Sequence, residues 1–111
     1  MPLLEIVRPL EHAVYRHDKM GKATIFSSPR MLVGVNAFEP GQAHALHTHQ
    51  GMDKIYLVLE GDGEFLLDGT ALPMRAGDLL VAPDGVPHGI HNTGHARLAV
   101  LAVLAPGPHA Q

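Results

Sequence analysis

The chain has 111 residues, of which 46% are hydrophobic and 17% charged, with a formal net charge of −3. This length suits one compact domain, and the composition is too apolar for a disordered chain. The eight Lys and Arg residues are scattered singly, so we expect no nucleic-acid partner, and the absence of cysteine excludes disulfides and thiolate metal ligands.

The amino-terminal segment 1–12 contains acidic side chains and no unbroken apolar run, so we expect no signal peptide. The longest apolar run, 98–105, is far shorter than the roughly 20 residues that span a bilayer. We therefore expect a cytoplasmic protein with no membrane partner.

Glycine and proline recur along the whole chain and leave space only for short elements, which predicts an all-β domain. Alternation of side chains and turn residues predicts nine strands, at 23–26, 31–38, 45–48, 54–60, 63–67, 71–74, 78–82, 88–91 and 97–104. Between two of them, Asp68-Gly69 predicts a hairpin with a type I′ turn. We expect 106–111 to be a mobile tail.

The predicted strand 54–60 and residues 98–104 of the last predicted strand are apolar on both alternating faces. In the first, Tyr56 and Val58 point to one side and three aliphatic side chains point to the other. A strand that is apolar on both faces needs cover on both. We therefore predict a homodimer that forms by packing of sheets.

Histidine is abundant, with nine residues, and one cluster has the spacing of metal ligands. His47 and His49 lie two apart, so both imidazoles leave the same face of an extended strand. A third imidazole could come from His88, and three such nitrogens suit Zn, Fe, Ni, Mn or Cu. His44 is out of phase with the pair, which favours a supporting or surface role. An alternative is that the His-x-His pair arises by chance and binds nothing.

Two segments combine these histidines with regularly placed turn residues. Segment 41–61 contains Gly41, His47, His49 and Gly61, and segment 77–92 contains Gly77, Pro83, Gly85, His88 and Asn92. The two patterns resemble the two motifs of the single-domain cupins, the second in every place and the first in every place but one.

The resemblance implies one cupin domain over 1–111, with a jelly-roll-like β-barrel that is usually dimeric. It also implies that His47, His49 and His88 hold a divalent metal ion inside the barrel. Asn92 is expected to cap a turn rather than to contact the ion.

The chain departs from the cupin pattern at Lys54, where the family has a glutamate that serves as a fourth ligand. An ammonium group cannot bind a metal, and its phase with Tyr56 points Lys54 into the barrel. The ion could then be held by three histidines, or Asp53 could replace the glutamate, or the site could be weak or empty. Asp53 could also simply begin its strand. Lys54 could face solvent, bind an anionic substrate or take part in catalysis.

Three functions fit these expectations. The first is a metal-dependent enzyme, such as a dioxygenase, acting on a small oxygen-rich molecule. The second is a module that binds or senses a small molecule without chemistry. The third is a metal-free structural dimer. A fold by itself does not decide among them.

Overall fold

The structure is a computed structural model that describes residues 4–107. The predicted tail, 106–111, therefore lies mostly outside the described residues. After a short 3₁₀ helix at Pro9–His12, the chain forms nine strands: β1 (Gly21–Ser27), β2 (Leu32–Phe38), β3 (Ala43–His47), β4 (Asp53–Glu60), β5 (Asp62–Leu67), β6 (Thr70–Arg75), β7 (Leu79–Ala82), β8 (His88–His91) and β9 (Leu98–Ala105).

The nine strands make two facing sheets, in a jelly-roll-like barrel. One sheet has the order β1-β2-β9-β4-β7 and the other the order β3-β8-β5-β6, with antiparallel pairs throughout. Each predicted strand overlaps one of these, so the predicted all-β class is confirmed. No helix within 4–107 has the length and apolarity that crossing a membrane requires.

The core lies between the two sheets. In β4 the side chains of Tyr56 and Val58 are buried, whereas Ile55 on the opposite face is exposed. This is the alternation expected of a strand with one face on the core. The core cluster contains Phe38, Tyr56, Val58, Phe65, Met74, Ile90, Leu98, Val100 and Ala102.

The outer face of the five-stranded sheet remains apolar and accessible in a single chain. Ile55, Leu79 and Val81 are exposed there, next to the half-buried Leu101 and Val103. Apolar side chains on both faces of β4 and β9 are thus present as predicted. Whether a second copy of the chain covers this face stays a prediction.

The hairpin between β5 and β6 is present, but its predicted turn type is wrong. Leu67 pairs with Thr70 across the turn, and Gly69 has a φ of 82°. Throughout 4–107 only glycines have positive φ, so Asp68 does not. A type I′ turn needs positive φ at both central residues, whereas a type II turn needs it only at the second.

Candidate metal centre

Three histidines converge at one end of the barrel, on the side of the four-stranded sheet. His47 ends β3 and pairs with His88, the first residue of β8, and His49 follows two residues later. One nitrogen from each ring lies within 4.8 Å of the other two. The structure therefore brings together the three residues that the spacing predicted.

Hydrogen bonds fix how two of these rings are turned. Nδ1 of His47 lies 2.7 Å from the carbonyl oxygen of Ala45, and Nδ1 of His88 lies 2.9 Å from that of Val86. A carbonyl only accepts, so each Nδ1 carries the proton and each Nε2 keeps its lone pair. This is the arrangement that orients metal-binding imidazoles in proteins.

The free Nε2 atoms have no other partner among the described residues. Nε2 of His47, His49 and His88 is buried in each case and lacks a hydrogen bond. A buried polar nitrogen without a partner is unfavourable, and a divalent cation would satisfy all three nitrogens at once. The donor set therefore fits a divalent metal ion.

Burial keeps these imidazoles neutral. It is the main cause that lowers the pKa of His47 and His88, and together with the nearby charge of Lys54 it lowers the pKa of His49 to about 4. A metal competes with protons for the same nitrogen, so neutral rings are available to it at neutral pH.

His44 lies beside this cluster, so the prediction that it is out of phase is wrong. Its ring stacks on His47 with centroids 4.1 Å apart. The cause is a register irregularity in β3 between His44 and His47, which leaves Ala45 and Leu46 both exposed. The bulge requires a glycine at position 89 on the facing strand. A Cβ atom on Gly89 would lie 2.6 Å from the carbonyl oxygen of His44, which is too close. His44 thus supports the cluster without being one of the three converging ligands.

Lys54 points into the barrel, as its phase predicted. Only 4% of the residue is exposed, and its Nζ lies 4.7 Å from the centre of the Tyr56 ring. Burial, with a smaller contribution from the nearby charge of Lys22, lowers the pKa of Lys54 to about 8. The group is therefore mainly charged at neutral pH.

Asp53 does not take the place of the missing glutamate. It lies on the exposed face of β4, and its Oδ1 accepts a hydrogen bond of 2.9 Å from the backbone N–H of Asp84. Asp84 in turn accepts a bond of 2.7 Å from the N–H of Gly51. Asp53 therefore holds the loop before β4 and is not among the side chains that converge with the three histidines.

Asn92 has the structural role predicted for it. It is fully buried, and its Oδ1 accepts a hydrogen bond from the N–H of Gly94, which closes a turn. Its Nδ2 donates to the carbonyl oxygens of Phe38 and Ala96. The amide thus joins the end of β2 to the loop before β9.

A cavity of about 240 Å³ lies beside the histidines. Pockets for drug-sized ligands begin at roughly 300 Å³, so its volume suits a small molecule. Within the part of the chain that the structure describes, its walls contain no aspartate or glutamate. The polar side chains in its walls are Lys22, Thr24, Asn36, His44, His49 and Lys54.

Sequence reasoning missed two of the cavity residues because they depend on pairing between distant strands. Lys22 precedes the predicted first strand, and only its pairing with Asn36 places it on the inner face. Asn36 lies in a largely apolar strand and carries no motif. A predicted first strand that began at Gly21 instead of Ala23 would have included Lys22.

Comparison with known proteins agrees with this architecture. The family model for the cupin domain matches residues 34–104. The chain is 33% identical over 95 residues to the oxalate-binding protein of Thermotoga maritima, covering 86% of this chain and 73% of that protein.

Solved structures give the same result. TT1209 from Thermus thermophilus is 37% identical, with a TM-score of 0.89 over 95% of this chain and 100% of that one. A predicted oxalate decarboxylase from Thermotoga maritima is 29% identical, with a TM-score of 0.78 over 92% of this chain and 99% of that one. Since the family model covers more than half of the residues, the chain belongs to the cupin family.

Proposed function

We propose that the protein binds a small carboxylate anion at a divalent metal ion held by His47, His49 and His88. In this proposal the ammonium of Lys54 supplies a second positive charge to the anion. The observation that carries it is the burial of Lys54 beside three unpartnered imidazoles, with no acidic side chain in the cavity walls that the structure describes.

Charge is the first reason. A buried cation without a counter-ion is costly, and a metal ion nearby would increase that cost. The chain gives Lys54 the face of the Tyr56 ring, which is a weaker partner than a carboxylate. An anion in the cavity would offset both positive charges.

The ligand set is the second reason. Three imidazoles and no carboxylate suit Zn, Fe, Ni, Mn or Cu, and they leave further coordination positions for oxygen atoms of a ligand. A metal bound there would act as a Lewis acid on a carboxylate or carbonyl oxygen. The similarity to an oxalate-binding protein supports the same class of ligand.

Catalysis is a second candidate, favoured by the pKa of about 8 for Lys54. A side chain that titrates near neutral pH, in contact with the ligand, could donate or accept a proton. A metal ion with open coordination positions for both O₂ and substrate could support a dioxygenase reaction, so this second candidate includes that activity. Product formation and oxygen uptake with the metal-loaded protein would distinguish an enzyme from a binding module.

The test of binding is calorimetric titration of oxalate into protein that has been stripped with chelator and reloaded with one metal. We expect one metal ion per chain, bound oxalate in the loaded protein, and loss of metal in His47→Ala and His88→Ala. His95→Ala is the matched control, because this exposed histidine lies outside the cluster.

Two results would contradict the proposal. Metal retained by both cluster variants would exclude this site. A folded wild-type protein that binds no metal under any loading condition would instead support the metal-free structural dimer.

A further inference from the structure

We infer that the cavity selects a dicarboxylate, with one carboxylate at the metal centre and Lys54 and the second at Lys22. This inference rests on the proposed function, since it specifies the anion that the same site would bind. It is carried by the convergence of two lysines from separate strands on a single small cavity.

The two lysines reach the cavity from strands that are not neighbours in the five-stranded sheet. Lys22 lies on β1 and Lys54 lies on β4, and β2 and β9 separate them. Three strand spacings are roughly 14 Å, so the two backbones are well separated. Both side chains nevertheless line the same cavity, so two positive charges from separate strands face it.

Small residues form the floor between the two lysines. Thr24 pairs with Gly34, Gly34 with Ala102, and Ala102 with Tyr56, so these residues form one row across the sheet. The first three line the cavity. A short carbon chain could cross this floor, because no large side chain rises from the middle of the row.

The charges favour two anionic groups over one. Lys22 is close enough to Lys54 to lower its pKa, which means that the two ammonium groups repel each other. A monocarboxylate at the metal and Lys54 would leave Lys22 without a carboxylate partner. A second carboxylate at Lys22 would gain a charge-assisted hydrogen bond there and reduce the repulsion.

A basic groove leads to the same place from outside. This groove, of about 450 Å³, is lined by Arg16, Lys19, Lys22 and His44, and it shares Lys22 and His44 with the inner cavity. Arg16 is neutralised by Asp18 at 3.0 Å. Lys19 and Lys22 therefore supply the positive potential that would attract a dianion.

The experiment measures affinities of the zinc-loaded protein for acetate, propionate, malonate and succinate by calorimetry. We expect malonate or succinate to bind at least about tenfold more tightly than either monocarboxylate, because one charge-assisted hydrogen bond raises affinity by a factor of about ten. Lys22→Gln should remove this preference by lowering dicarboxylate affinity about tenfold more than monocarboxylate affinity. Lys22→Arg should keep the preference, and circular dichroism checks that both variants fold.

Lys19→Gln is the matched control, because Lys19 lines the outer groove but not the inner cavity. It should leave the equilibrium preference unchanged. Equal affinities for mono- and dicarboxylates, or an equal loss of both in Lys22→Gln, would overturn the inference while the proposed function stands. Failure of every carboxylate to bind would refute the proposed function and the inference with it.

Discussion

Replacement of Lys54 by methionine should stabilise the metal-free protein. A pKa lowered from 10.5 to about 8 corresponds to about 3 kcal/mol of unfavourable charge burial at pH 7. The contact of Nζ with the Tyr56 ring offsets about 1 kcal/mol of this. Methionine keeps most of the hydrophobic chain, so we expect Lys54→Met to gain about 2 kcal/mol, or about 8 °C in Tm.

The stability gained in Lys54→Met should depend on pH, because the pKa of Lys54 differs between the folded and the unfolded chain. Below pH 8 the lysine is charged in the folded and the unfolded chain, so the folded state bears the full cost. As the pH rises from 8 to 10.5 the folded state loses its proton first, and the cost disappears. The advantage of Lys54→Met should therefore fall below about 1 kcal/mol at pH 10.

Urea unfolding of chelator-treated protein, followed by circular dichroism at pH 7 and pH 10, measures both quantities. Lys22→Met is the control, since its exposed ammonium should change stability by no more than about 0.5 kcal/mol. A gain that is absent at pH 7, or equal at both pH values, would refute the account of Lys54 as a buried charge.

Four other outcomes are expected. Lys54→Glu should bind metal more tightly than wild type in a chelator competition, because it replaces a cation with an anionic ligand. The metal-free protein should lose stability in urea titrations as the pH falls from 6.5 toward 4, because burial is the main cause that lowers the pKa of His44 to about 3 and of His49 to about 4, so the unfolded chain binds protons in this range before these two folded imidazoles do. Asn92→Ala should cost about 2 to 3 kcal/mol of unfolding free energy, because buried backbone groups lose their partners. Val81→Lys should shift the mass in light scattering from dimer to monomer if the outer face joins two copies; a monomeric wild type would contradict that prediction.

The sequence alone predicted the direction of a side chain where the alternation of residues along one strand determines it. The two-residue spacing of His47 and His49 correctly predicted that their nitrogens converge, although His49 lies just beyond the end of β3. The phase of Lys54 with Tyr56 correctly predicted an inward ammonium. The predicted phase of His44 was wrong because a bulge changes the period, and the bulge depends on Gly89 in a strand more than 40 residues away. Lys22 was missed for a similar reason, since pairing between strands places it in the cavity.

The division of the site between the two sheets has a consequence for motion. The converging imidazoles of His47 and His88 belong to the four-stranded sheet, whereas Lys22 and Lys54 belong to the five-stranded sheet. A ligand that touches both groups would therefore act as a non-covalent crosslink between the layers. Amide protons of β1 and β3 should then exchange more slowly when the ligand is bound, because this end of the barrel would separate less often.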